Sequence, residues 1–266
     1  MSDRTKTLVV ERPEQLWRPE TRREFLRLLG IGGTVVMLPT MFAACDDDDN
    51  GVGPGTGPLT LNLSTEIGIL NYAYALEQLE AGFYERVLAG PAFAGMSAEQ
   101  REVLTDLRNH EVIHRAFFRA AIPDAQRIPD LQLNNTTVTT AVSTAANILK
   151  TSETFEDLGV AAYNGAGKYL TAAANLTVAG QIVSVEARHA AAIRDLREGL
   201  NLAGTPPGTR FAGDDVVTST GLDVKLEPSV VLSRVAASQF VTTSLTIGTG
   251  PSGAATADFG PPNPTP

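Results

Sequence analysis

The chain has 266 residues, enough for one ordinary domain with appendages. Its 21 basic and 30 acidic side chains leave a formal charge of −9, and setting aside the first 44 residues leaves 14 against 25, or −11, which argues against nucleic acid as a partner. The single cysteine excludes an intramolecular disulfide and any CxxC redox or zinc site.

Residues 1–44 read as an address. "TRREFLR" carries twin arginines, Arg22 and Arg23, ahead of Phe25 and Leu26. The modestly apolar "LLGIGGTVVMLPTMFAA" that follows is broken by glycines and Pro39, a poorer membrane span than export segment, with a single-span anchor as the alternative. Cys45 stands directly after "MFAA", a combination that resembles the lipobox of bacterial lipoproteins; the alternative is an incidental thiol. On that resemblance Cys45 is a lipidation site, the protein leaves the cytoplasm already folded by the twin-arginine route, and it is held at the outer face of the cytoplasmic membrane or in the periplasm. Residues 45–63, "CDDDDNGVGPGTGPLTLNL", have the acidic and Gly/Pro-rich composition of a flexible tether.

From Ser64 the pattern turns helical, and residues 64–202 read as one bundle. The first helix runs through "STEIGILNYAYALEQLEAGFYERVLAG" to a stop at Gly90-Pro91. A second opens on "SAEQ", Ser97 to Gln100, with capping-box spacing, and closes before Pro123. Residues 122–150 are Thr/Asn-rich, with at most one irregular helix around "AVSTAANILK". A third helix is expected to start at Thr151 or Ser152, and a fourth to span about 173–201. Residues 203–266 form an extension with one short helix, "PSVVLSRVAASQF", and a disordered last twenty residues. Short links make the first and second helices, and the third and fourth, antiparallel neighbours; the long link between the pairs is the crossover of a ferritin-like all-α four-helix bundle.

The seams of these helices are apolar except at matched positions. The first gives Leu70, Tyr74, Glu77, Ala81, Tyr84 and Leu88; the third gives Glu156, Val160 and Tyr163 at the same spacing. The second gives Leu104, Leu107, Glu111, His114 and Phe118; the fourth gives Ile182, Glu186, His189 and Ile193. The chain therefore repeats itself: Glu77-x6-Tyr84 then Glu111-x2-His114, followed by Glu156-x6-Tyr163 then Glu186-x2-His189. Four carboxylates and two imidazoles cannot be buried together uncompensated. Two divalent cations balance them, and a donor set rich in oxygen with two histidines suits iron or manganese better than structural zinc. The opposing reading is a solvated salt-bridge face. Glu80 and Glu153, one turn from the nominated ligands, are expected to face solvent, with either able to substitute as a ligand if the helical phase is off by a turn; His110 is expected to lie behind the ligands or at the surface, with a ligand role as the alternative.

This duplication, with "ALEQLEAGFY", "FEDLGVAAYNGA" and "VEARHAAAIRDL", resembles the ferritin-like superfamily, especially its exported branch of ferritin-like or desiccation-related proteins. The resemblance implies Glu77 and Glu156 as terminal ligands, Glu111 and Glu186 as bridging ligands, His114 and His189 as terminal imidazoles, and Tyr84 and Tyr163 as hydrogen-bonding partners behind them. It further implies two Fe or Mn ions and a di-iron or di-manganese oxidoreductase of ferroxidase, peroxidase or catalase type, with Fe(II) or a small oxidant as substrate. The membrane, through the N-terminal lipid, and a second copy in a homodimer are the expected partners. The rival reading is a non-enzymatic envelope protein, in stress protection or interaction, whose metal is structural or absent. The chain lacks a four-cysteine electron-relay module, and its tether and tail disfavour a storage cage.

Overall fold

The structure, a computed structural model, describes residues 58–199 and 213–250. The expected export signal, Cys45, most of the tether and the end of the tail lie outside the described residues. Local chemistry sets the helix ends. Helix α1 (Glu66–Ala89) starts where the Thr65 hydroxyl accepts from Gly68 N at 3.0 Å and stops at Gly90, followed by a single turn, α2 (Pro91–Ala94). Helix α3 (Ala98–Ala121) opens on the capping box read from the sequence: Gln100 N donates to Ser97 Oγ and Ser97 N to Gln100 Oε1.

The crossover is more ordered than expected. It contains α4 (Asn135–Ala141), capped by Asn134. Helix α5 (Ala145–Ala166) begins well before the expected start, because the Thr144 hydroxyl caps Asn147 N at 3.1 Å. Ser152, which reads both as a possible cap and as a position on the helix's inward seam, takes the second place and is fully buried inside the helix. "AVSTAANILK" is thus split between the end of α4 and the first turns of α5. Helix α6 (Ala173–Gly199) is entered through a tight turn whose amides, Thr171 N and Ala172 N, donate to the Glu66 carboxylate of α1.

Helix α1 packs along α3 and α5 along α6, and the two hairpins close on each other through α1 with α5 and α3 with α6. The fold is therefore an all-α bundle. The C-terminal extension docks on it. Helix α7 (Pro228–Ser238) buries Val231, Leu232 and Val235, and Phe240 completes an edge-to-face cluster with Phe83 and Phe155, at centroid distances of 6.0 and 4.7 Å. Burying such a ring is worth roughly 2–3 kcal/mol. Gly165 shows how close the extension comes: a Cβ there would meet Leu226 O at 1.8 Å, while Leu226 N donates to Ala161 O. The small residues of α5 serve close backbone packing at this point.

The end of the expected tether is a strand. Strand β1 (Leu59–Asn62) pairs in parallel with β2 (Leu245–Thr249), Leu59 opposite Leu245 and Leu61 opposite Ile247. Part of the expected disordered tail is therefore in a sheet. The alternation of "LTLN" is that of a half-buried strand, with Leu61 turned inward.

Candidate metal centre

Each long helix delivers one carboxylate to the bundle axis from the middle of its apolar seam. Glu77 on α1, Glu111 on α3, Glu156 on α5 and Glu186 on α6 are 0% exposed; His114 and His189, one turn beyond Glu111 and Glu186, are 8% and 3% exposed. The six fall into two groups of four that share Glu111 and Glu186.

In the first group His114 Nδ1 faces Glu186 Oε1 at 2.9 Å, Glu77 Oε2 at 3.3 Å and Glu111 Oε2 at 3.5 Å. In the second His189 Nδ1 faces Glu111 Oε1 at 2.9 Å, Glu156 Oε2 at 3.2 Å and Glu186 Oε2 at 3.5 Å. Glu111 and Glu186 thus give one oxygen to each group, and Glu77 and Glu156 serve one group each. The remaining oxygens of this last pair are taken by tyrosines in a crossed arrangement. Tyr84, on the helix of Glu77, donates to Glu156 Oε1; Tyr163, on the helix of Glu156, donates to Glu77 Oε1.

None of the eight inward-facing atoms has a hydrogen-bond partner: Glu77 Oε2, both oxygens of Glu111 and Glu186, Glu156 Oε2, and the Nδ1 atoms of His114 and His189. Contacts of 2.9–3.5 Å without hydrogen-bond alignment are what ligands of a common ion make, since donors ~2.1 Å from a metal stand ~3 Å apart across a right angle. Buried polar atoms are otherwise satisfied in the great majority of cases. The residues present fit a pair of divalent cations, with four carboxylate charges against four positive ones.

Electrostatics describe how the same site stands with protons alone. Burial pushes Glu156 up to about 7, against the pull of His189, and Glu111 up to about 8, with Glu186 adding to the shift. Glu186 is down at about 2: burial opposes this, and the contacts with His114 and His189 outweigh it. Burial likewise opposes the rise of His189 to about 12, which the Glu156 charge and its other carboxylate neighbours produce; His114 is raised in the same way by Glu77, Glu111 and Glu186. The imidazoles hold protons where a cation would otherwise stand, so protons and metal compete for this cluster.

Two neighbours were misjudged or left open by sequence reasoning. Glu80, expected in solvent or as a substitute ligand, is 3% exposed; burial, and then the neighbouring carboxylates, raise it well above the ordinary range. Its burial depends on Gly159 of another helix, which local periodicity does not reveal. His110 lies behind a ligand position: its ring is nearly parallel to that of His189, with centroids 5.1 Å apart, and its Nδ1 is 2.9 Å from His189 Nε2. Glu153, by contrast, forms an ion pair with Arg197 away from the cluster.

A bundle of four long helices with carboxylates and Glu-x-x-His pairs turned to its axis defines a ferritin-like protein. In agreement, the family model of the ferritin-like domain matches residues 65–199, and the chain belongs to that family. No curated protein matches it.

Proposed function

We propose that this is an exported ferritin-like protein whose bundle holds a dinuclear iron or manganese centre for redox chemistry with dioxygen or peroxide. The observation that carries the reading is the set of eight buried, unpartnered donor atoms divided into two groups with two shared carboxylates. Glu77, Glu111, His114 and Glu186 would hold one ion, and Glu111, Glu156, Glu186 and His189 the other. When bound, such a pair supplies electrons to an oxidant and takes them back from a reductant such as Fe(II).

The chain's own residues set the conditions for that chemistry. With Nδ1 turned to the ion, His189 carries its proton on Nε2 and donates it to His110 Nδ1, which fixes the tautomer and the ring. Tyr84 and Tyr163 hold one oxygen of Glu156 and Glu77, leaving the other free to ligate. Tyr163 also forms part of the wall of an apolar cavity of about 30 Å³, with Tyr72, Phe117 and Phe118. The N-terminal address and Cys45 complete the proposal: export through the twin-arginine route and a lipid tether at the cell envelope.

Metal content tests the reading. Protein from iron- and manganese-supplemented cultures is expected to contain about two ions per chain, and a Glu111→Ala, Glu186→Ala double variant none. Consumption of O2 or H2O2 by the loaded wild type then separates a redox role from a structural one. A well-folded wild type devoid of metal overturns the proposal.

A further inference from the structure

The two halves of the bundle match at Glu77 and Glu156, Tyr84 and Tyr163, Glu111 and Glu186, His114 and His189. Among the differences beside the site, two matter here. Three residues after Glu77 stands Glu80, whereas three residues after Glu156 stands Gly159; one residue before Glu111 stands His110, whereas one before Glu186 stands Val185.

Both differences bear on the same ion position. The Glu80 carboxylate reaches across to α5, where a Cβ on Gly159 would sit 3.0 Å from Glu80 Oε1 and 3.7 Å from Glu186 Oε2. The side chain missing from one half is the space that admits the extra carboxylate of the other. Glu186 Oε2 faces His189, in the group that also contains Glu156. Glu80 stands outside the two groups of four, but its Oε2 is buried and unpartnered, a condition that a polar atom in a protein interior rarely keeps without a ligand to answer it. On the same side, His110 takes up Nε2 of His189, and partners of this kind orient a ligating imidazole and raise its basicity.

We propose that the two metal positions are unequal: Glu80 is a seventh protein ligand available to the ion of Glu156 and His189, His110 positions His189, and this ion is the more tightly held. The inference rests on the dinuclear reading above. An added anionic oxygen and a more basic imidazole both strengthen one position and leave its neighbour unchanged, although the two share their bridging carboxylates.

The test is a titration of the chelator-treated full-length protein with Co(II), followed by visible absorption. Wild type is expected to fill in two steps separated by ~10-fold or more in affinity. Glu80→Gln, nearly isosteric, is expected to weaken the tighter step ~10-fold and leave the weaker one in place. Gly159→Ala, which pushes on the Glu80 carboxylate, is expected to act on the same step. Glu156→Gln should join them, and Glu77→Gln should strike the weaker step instead. His110→Phe should weaken the tighter step, and His110→Asn, with an acceptor near the Nδ1 position, should restore much of it. Two equal steps in wild type overturn the inequality, and a tighter step indifferent to Glu80→Gln and His110→Phe overturns the roles given to those two residues; either leaves the dinuclear reading intact. A wild type that takes up no Co(II) removes the dinuclear reading itself.

Discussion

Two of the places where the described residues bury charge are built oppositely. Arg194 on α6 is 2% exposed and fully answered: its guanidinium donates to both oxygens of Asp157 at 2.9 and 2.6 Å and both of Asp215 at 3.1 and 2.8 Å. Asp215 belongs to the extension, so this fork pins the extension to the bundle. The Glu/His cluster is more deeply buried, yet its inward atoms are unpartnered. The fork holds its own counter-ion covalently on the chain, and the cluster has a place for counter-ions that come from outside. Burial alone therefore does not mark a functional site; burial with unanswered donors does.

Breaking the fork gives the largest expected effect. Arg194→Met leaves two acids facing each other and is expected to destabilise by about 3 kcal/mol in urea unfolding, the lower end for a broken buried pair since Asp215 is half exposed. Metal content should not change; its loss would show that the two clusters are not independent.

The cluster should respond to pH in a way the fork does not. Glu156 and Glu111 are held at about 7 and about 8, above the ordinary 4.5. Between about pH 4.5 and 8 the unfolded chain has released protons that the folded one retains, so the metal-free protein loses stability as pH rises through that window. His189, raised to about 12, adds to the loss above its ordinary 6.5. Metal binding requires those same protons to leave and strengthens with pH. The gap in melting temperature between loaded and chelated protein should therefore be several degrees wider at pH 8.5 than at pH 5.5; a gap that narrows would contradict the competition.

A smaller effect isolates one group. Glu111→Gln in the metal-free protein is expected to gain about 1–2 kcal/mol at pH 9, where the native carboxylate is charged and crowded, while losing both ions. On the dinuclear proposal, the arrangement that destabilises the metal-free cluster is also the one that draws ions to it. Smallest is Tyr163→Phe, which leaves Glu77 Oε1 unpartnered and should cost about 1 kcal/mol by thermal unfolding. No change there would mean the phenol contributes position alone.

What the sequence made legible is what repeats within a helix. Glu77, Glu111, His114, Glu156, Glu186 and His189 interrupt apolar seams at helical spacing, so their meeting on the bundle axis follows from periodicity and the duplicated order. The misreadings mostly depend on distant partners. The cap reading of Thr151 or Ser152 is the exception, undone locally by the Thr144 cap, while the seam spacing already places Ser152 inward. "LTLNL" follows a Gly/Pro-rich run and reads as tether until its strand partner, Leu245–Thr249, is in view. Glu80 lies one turn from Glu77, where phase alone leaves it at the edge of the seam, and Gly159 decides its burial.

The pairing of β1 with β2 also orders events in time. Residues 59–62 find their partner 186 positions later, and Phe240, which seals the aromatic cluster, lies almost as far along. A ribosome delivers the N-terminal end first, so α1 and α3 emerge long before the strand and ring that complete their surroundings. The bundle can collapse on its own helices, but closure waits for nearly the whole chain. A truncated product that stops short of residue 240 would leave Phe83 and Phe155 uncovered, a signal by which quality control can tell an unfinished chain from a finished one.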